Sequence, residues 1–429
     1  MTALQTIDTV VVGAGHAGLA VSRLLTEAAR EHVVLDRGRV GERWRTARWD
    51  SLRLLTPTWM TRLPQWQAAG DPDAFLSAGQ FVRQLEEYAV SFDAPVIPGT
   101  AVTLLTAGPD GCYDLHTDHG TWRARSVVIA TGPHATPIVP DGVQCAGLPV
   151  ITSNRYRSPA RLDRGGVLVV GASASGAQIA DELARSGRDV VLAVGRHTRL
   201  PRRYRGMDIF WWLETTGRLS RTIEEMPDPD AARREPSLQL VGRAGADTVE
   251  SDVDLAALQR RGVRLAGRLQ QLEGKTARFS DSLPALTAEA DRRMHAVLDS
   301  VDRYVARTGL TREVLAPVRP AHVPVPATPS RLDLRAEGIR TVVLATGYRP
   351  DHAWVDLPVK HADGTFRQTR GVTDAPGVYV VGQRFQHRRD SAFIDGARHD
   401  AYAVVHHLTG GAVPMAAESH AALTGEEPA

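Results

Sequence analysis

Two short stretches carry the residue types and spacings best suited to chemistry. The first is VVVGAGHAG at 10–18, where Gly13, Gly15 and Gly18 follow an apolar, β-branched run and open a helical pattern. In that setting the three glycines serve a tight turn, close approach of backbone to a diphosphate, and close packing of helix on strand. The free N–H groups and positive dipole of the helix start favour phosphate. Asp36 lies 23 residues beyond Gly13, at the end of the next apolar run, HVVLD. A carboxylate there accepts hydrogen bonds from a ribose diol, so the pattern predicts an adenine-dinucleotide site.

The second stretch, VLVVGASASGAQIADELARSG at 167–187, repeats the plan with Gly171, Ser173, Ser175 and Gly176. Serine in the middle position holds a phosphate further from the backbone but adds a donor. Counting the same 23 residues from Gly171 reaches Val194, with no acid; Arg196 follows, then Arg199, Arg202 and Arg203. A carboxylate would repel a 2′-phosphate and arginine would bind it. Arg196 is therefore expected to select NADPH, and most of the other arginines to form a solvated basic loop. Two such sites imply a division of labour, with FAD held in the first unit and NADPH arriving at the second.

The elements that must position these residues follow from periodicity. Residues 7–12 and 32–36 read as buried parallel strands, 16–29 and 79–90 as helices, and 44–66 as mostly loop. Alternation and turn signals predict antiparallel strands near 101–106, 112–117 and 121–124. Further helices are expected at 285–307 and 391–408, and a buried strand at 378–382. The proline-rich run at 317–329 cannot be regular helix or central strand. The expected fold class is α/β, with two Rossmann-like dinucleotide-binding domains, the second inserted into the first, and a small antiparallel β-meander. The FAD domain takes residues 1–155 and 325–429, the NADPH domain residues 156–324.

Composition bounds the alternatives. A length of 429 residues suits two or three domains, and 43% hydrophobic with 23% charged residues suits a globular chain. A formal charge of +2 implies no pull toward nucleic acid or acidic membranes. Only Lys275 and Lys360 are lysines, which leaves few catalytic candidates of that type. Cys112 and Cys145 form no C-x-x-C, which argues against a redox dithiol or cysteine zinc site and for two free thiols. No run of 18 apolar residues and no signal-peptide pattern is seen, so a cytoplasmic location without membrane or metal is expected.

GAGHAG at 13–18, GERW at 41–44, WDSLRLLTP at 49–57, IATG at 129–132, GASASG at 171–176, LATGY at 344–348 and VYVVG at 378–382 together resemble the class B flavoprotein monooxygenases, including the flavin-containing monooxygenases and the plant auxin-forming enzymes. The resemblance implies an NADPH-dependent FAD monooxygenase that inserts one atom of O2 into a small organic substrate by way of a flavin hydroperoxide. It implies cofactor contacts at Arg37, Trp44, Thr131, Gly132, Thr346, Gly347 and Gly382 as well as at the two glycine turns. The alternative is an NAD(P)H-dependent flavin oxidoreductase or electron-transfer flavoprotein without oxygen insertion. A non-catalytic redox sensor is disfavoured by two intact cofactor units.

Two departures stand out. Where the family places asparagine or histidine toward the reactive edge of the flavin, this chain has Leu55, leaving Thr56 or a backbone group as the polar substitute. In the interdomain segment CAGLPVITSNRY at 145–156, Gly147, Ser153 and Tyr156 match with one extra residue, Cys145 replaces an aromatic and Thr152 the histidine. Trp44 and Trp49 are expected to wall the flavin pocket, and Trp59 and Trp66 to fill core. Phe210, Trp211 and Trp212 read as a buried or subunit-contact face, which leaves a homodimer open, or as a substrate-pocket wall. His387 and His399 read as surface residues.

Overall fold

The computed structural model describes residues 4–144, 147–241, 253–325 and 327–412. Strand β1 (Leu4–Val12) feeds helix α1 (His16–Glu27), and the chain returns through β2 (His32–Leu35). Val10, Val11 and Val12 are all buried because both faces of the sheet are covered: Val11 packs with α1, Val10 and Val12 with the opposite cluster. Such strands carry no polar face, hence their unbroken apolar sequence. Helix α2 (Ala78–Val90) starts at a capping box in which the Ser77 hydroxyl and the Gln80 side chain satisfy each other's backbone N–H groups.

Strand β3 (Gly120–Ile129) is one continuous strand with two partners. Its first half pairs antiparallel with Tyr113–Thr117, and it runs parallel to β1 to its end, Val12 opposite Ile129. The nine-stranded first sheet thus absorbs the meander, with β2 and Val96–Ile97 at one side and Val378–Val380, Val372–Thr373 and Gln368–Thr369 at the other.

The second sheet has five parallel strands: β4 (Val150–Thr152), β5 (Gly166–Val170), β6 (Val190–Ala193), β7 (Arg264–Ala266) and β8 (Ile339–Leu344), in the order β4-β8-β5-β6-β7. Helix α3 (Ala174–Arg185) follows β5 as α1 follows β1. Pairing of β4 with β8 carries the exchange between the sheets to about 150 and 345, outside the expected boundaries at 155 and 325. The reason is that β8, an apolar strand like β1, completes the second sheet beside β5.

The connecting segments meet at the exchange. Thr136 and Pro137 pair antiparallel with Arg349 and Tyr348, and the Ile138 N–H donates to the Gly347 carbonyl at 2.9 Å. Outgoing and returning chain therefore form a two-stranded ribbon between the sheets.

Helix α4 (Ile209–Thr215) buries Phe210 and Trp212 against α5 (Leu283–Thr308), so this aromatic run is core rather than an exposed contact face. The last helix, α6, spans Ala397–Leu408 instead of starting at 391. Residues 391–396 form a tight turn, in which a Cβ on Gly396 would meet the Asp390 carbonyl oxygen at 2.0 Å. His399 is half-buried, and burial with the nearby Arg398 pushes its imidazole down to about 3; His387 is half-buried as well. Neither is the surface residue expected. Cys112 is a free thiol, and Cys145 lies outside the described residues. Among the described residues no helix is long and apolar enough to cross a membrane.

Candidate dinucleotide sites and the cavity between them

The two glycine turns are built alike. Gly13 adopts φ +113° and Gly171 φ +103°, left-handed values that favour glycine. A Cβ on Gly13 would lie 2.7 Å from the Ala130 carbonyl oxygen, and one on Gly171 2.4 Å from that of Ala345. Each A-T-G segment therefore backs its own glycine turn. Gly18 and Gly176 seat their helices on the turns: added Cβ atoms would fall 1.9 Å and 1.7 Å from the Gly13 and Gly171 carbonyl oxygens. The middle positions differ. A Cβ on Gly15 would meet nothing within 4 Å, and Ser173 occupies the equivalent place. Neither residue caps its helix with a side chain, so the first N–H groups of α1 and α3 stay available.

Asp36 is fixed at the end of β2. Its Oδ2 accepts from the Ala14 N–H at 2.7 Å and its Oδ1 from the Gly38 N–H at 2.9 Å, while the residue borders the cavity. Arg37, Arg43 and Arg48 line the same wall. Arg43 donates to the His134 carbonyl, and burial beside Arg37 and Arg48 pushes its guanidinium down to about 10. Arg48 lies 4.9 Å above the Trp44 ring, and Trp44 meets Phe81 edge-on at 4.9 Å. Thr131 Oγ1 and His16 Nε2 are buried without a hydrogen-bond partner, and burial pushes the His16 imidazole down to about 4. Crowded guanidiniums, open helix N–H groups, orphaned polar atoms and the space over Gly15 all fit a bound dinucleotide diphosphate.

The second site has Ser173, Ser175 and Arg196 on its wall. Arg196 is exposed and donates to the Arg234 carbonyl. Of the other arginines only Arg203 is solvated as expected. Arg199 is 1% exposed and bridges Asp254, at 2.8 Å, and Asp291. Arg202 sits 3.8 Å from the Phe75 ring centre, pairs with Asp208 at 2.7 Å and donates to the Leu55 carbonyl. Both are structural cations with fixed partners, which a composition-based reading of the loop could not separate from Arg196.

Both turns open onto one continuous cavity of about 3370 Å³. Gly132, Gly347 and Gly382 border it too, while the Thr346 hydroxyl is spent on the Ile138 carbonyl. Leu55 and Thr56 are half-buried at its wall, with Leu55 packed among Phe210, Leu213 and Phe393. Trp44 and Trp49 also line it. In the interdomain segment, Thr152 turns to Asn154 at 2.5 Å, and Ser153 lies 2.8 Å from the Tyr348 hydroxyl. Arg157 ties this segment to the stretch that follows GERW, donating to the Thr46 carbonyl at 2.7 Å and to that of Arg48. The sequence reading missed Arg43, Arg48, His134 and Arg157. GERW itself, which contains Arg43, and the arginines that follow it were the available signal for the first two.

Two sheets with parallel cores, each with a glycine turn facing a shared cavity, define the class as a two-site dinucleotide oxidoreductase fold. A family profile described as pyridine nucleotide-disulphide oxidoreductase matches residues 10–214. The chain is 29% identical over 401 residues to an uncharacterized CzcO-like oxidoreductase of Geobacillus kaustophilus, covering 92% of this chain and 96% of that one. It is 34% identical over 210 residues to the indole-3-pyruvate monooxygenase YUCCA1 of Oryza sativa subsp. japonica, covering 47% and 51%. The flavin-containing monooxygenase from Stenotrophomonas maltophilia shares the fold with a TM-score of 0.64 at 18% identity, over 95% of this chain and 99% of that one. The chain is thus similar to the class B flavoprotein monooxygenases in sequence and carries their fold.

Proposed function

We propose that the chain is an NADPH-dependent FAD monooxygenase acting on a small organic substrate. The observation that carries this reading is the single cavity shared by both glycine turns, which lets a reductant bound at one reach a flavin bound at the other. FAD is assigned to Gly13, Gly15, Gly18 and Asp36, with Arg37, Arg43 and Arg48 facing its diphosphate. NADPH is assigned to Gly171, Ser173, Ser175, Gly176 and Arg196. Thr131, Gly132, Gly347 and Gly382 complete the contacts on the turn side, and Thr346 acts by holding the linker. The first sheet with its helices forms the FAD domain and the second the NADPH domain.

FAD held at the first turn would supply two-electron redox chemistry toward O2 with NADPH and a proton as the reducing input, by which one oxygen atom would enter the substrate and the other leave as water. The chain itself must orient both nucleotides and keep water from the reacting face. Trp44, Trp49 and Leu55 supply apolar wall there, and the Thr56 hydroxyl is the nearest side-chain donor in the sequence to Leu55.

The apolar Leu55 also favours a second reading, electron transfer without oxygen insertion. Both are tested together. Purified protein is examined for bound FAD, reduced with NADPH and mixed with oxygenated buffer while the absorbance spectrum is followed. A transient species distinct from reduced and oxidised flavin, with oxygen appearing in product, is expected. Immediate reoxidation with stoichiometric hydrogen peroxide for every substrate offered would establish the second reading, and protein without FAD affinity would refute both.

A further inference from the structure

Beyond the two nucleotide turns, the cavity ends in a group of arginines that neither turn accounts for. Residues 219–223 and 387–390 run side by side: the Ile223 N–H donates to the His387 carbonyl at 2.7 Å, and the Arg389 N–H to the Arg221 carbonyl at 2.9 Å. This pairing brings Arg218, Arg221 and Arg389 to one stretch of the cavity wall. Arg389 lies 5.3 Å from the Phe385 ring centre and pairs with Glu235, yet its Nε is buried without a partner. Neither the Arg218 nor the Arg221 side chain forms a hydrogen bond or ion pair with a described residue. The other carboxylates of the covering segment are engaged, Asp228 capping a helix at the Ala231 N–H and Asp230 pairing with Arg233 at 3.3 Å.

Three guanidiniums therefore share one carboxylate, Glu235, which is paired with Arg389. Burial, together with the like charges of Arg389 and Arg221, pulls the Arg218 guanidinium below its ordinary range. Partly desolvated cations that outnumber their counter-charge are costly, and an anion that completes the site relieves the cost. Arg218 and Arg221 follow α4, whose Phe210 and Leu213 pack with Leu219, Phe393 and Leu55 in one apolar cluster. That cluster leads from Leu55 to the arginines, whereas Arg196 follows β6 and donates to the Arg234 carbonyl.

We infer that this end of the cavity binds the anionic group of the substrate, so that the substrate is an organic acid whose apolar body lies along Phe210, Leu219 and Phe393 toward Leu55. The inference rests on the reading of the shared cavity as the reaction chamber. Arg218 and Arg389 would grip the carboxylate in charge-assisted hydrogen bonds, and Arg221 would add charge from the rim.

Oxidised holoenzyme is titrated with (phenylthio)acetate and with its neutral amide, (phenylthio)acetamide, by calorimetry and by perturbation of the flavin spectrum. The acid is expected to bind roughly tenfold or more tightly than the amide, as loss of one charged hydrogen bond would give. Arg218→Gln should abolish most of that preference and Arg218→Lys should keep part of it, while flavin content holds and NADP⁺ affinity moves less than about threefold. Should Arg218→Gln fail to fold, the exposed Arg221→Gln is read against the same pair of probes. Equal binding of acid and amide by the parent, or no binding of either, overturns the inference. So does a variant that loses NADP⁺ as strongly as it loses the acid, which would give these arginines to the nucleotide. A clear acid preference in a protein that releases only hydrogen peroxide would keep this site and refute the oxygenation reading.

Discussion

Replacing Gly15 with alanine separates fold from cofactor binding. Gly15 has φ −86° and ψ −177°, an extended conformation open to any residue, and its added Cβ would touch nothing in the protein within 4 Å. Two small effects then oppose each other. Alanine at a compatible position stabilises by about 0.4–1 kcal/mol through the unfolded chain, and alanine is a poorer helix N-cap than glycine by roughly half a kcal/mol. The apoprotein should melt within a few degrees of the parent. The Cβ instead projects into the space where a diphosphate would approach the turn. Displacing it by even part of an ångström forfeits one charged hydrogen bond, about 1.5–3 kcal/mol, or roughly 10- to 150-fold in FAD affinity. Gly18→Ala is the contrasting variant, since its Cβ would fall 1.9 Å from the Gly13 carbonyl oxygen, a backbone atom that cannot move aside. That protein should lose stability as well as flavin. The assay is calorimetric melting of flavin-free protein beside a titration of FAD fluorescence quenching. Gly15→Ala that binds FAD within about twofold of the parent would refute the placement of the diphosphate over this turn.

Arg196→Ala should weaken NADPH by roughly 10- to 150-fold and NADH far less; equal losses in nucleotide titrations would remove Arg196 from phosphate recognition. Arg199→Met, only three positions along, should leave the nucleotide preference alone but cost about 3–5 kcal/mol in urea denaturation, because it strands the buried Asp254 and Asp291 carboxylates. Asp400, buried in α6, is pushed up to about 7 by burial and by the neighbouring Asp390 carboxylate. The folded state then holds a proton that the unfolded chain releases near pH 4. Stability should be greatest below that point, fall by at most ~1.4 kcal/mol per pH unit as pH rises to about 7, and level off above. Asp390, pushed up to about 6, acts in the same direction. Asp400→Asn should flatten the profile; an unchanged pH dependence of unfolding free energy would show that other groups set it.

The glycine turns and their flanking strands were readable because local chemistry determines them. Gly18 and Gly176 are required by atoms of their own strand–turn–helix unit, and Gly13 and Gly171 by left-handed turn conformations, with the distant Ala130 and Ala345 carbonyls adding to the demand. The helix at 79–90 was readable from its apolar spacing for the same reason. The role of each arginine after Val194 was not readable. Arg199 is decided by Asp254 and Asp291, and Arg202 by Phe75 and Asp208, partners far away in sequence that only tertiary folding supplies. The exchange point was displaced for a similar reason: β8 ends in the same kind of apolar run as β1, and nothing within it says which sheet it joins. Arg218, Arg221 and Arg389 become a group only when residues 219–223 meet 387–390.

The ribbon of Thr136–Pro137 with Tyr348–Arg349 has a consequence for how such a chain can be rebuilt. The segment between the two arms of this ribbon leaves and re-enters at one place, so its two ends lie side by side. The first sheet keeps all its strand pairings without that segment, because no strand between residues 150 and 344 belongs to it. Exchange of that segment would also have to re-cover Met60, Trp59 and Phe393, which pack with Phe210, Leu219 and Met294, and would leave Arg62 without Glu214.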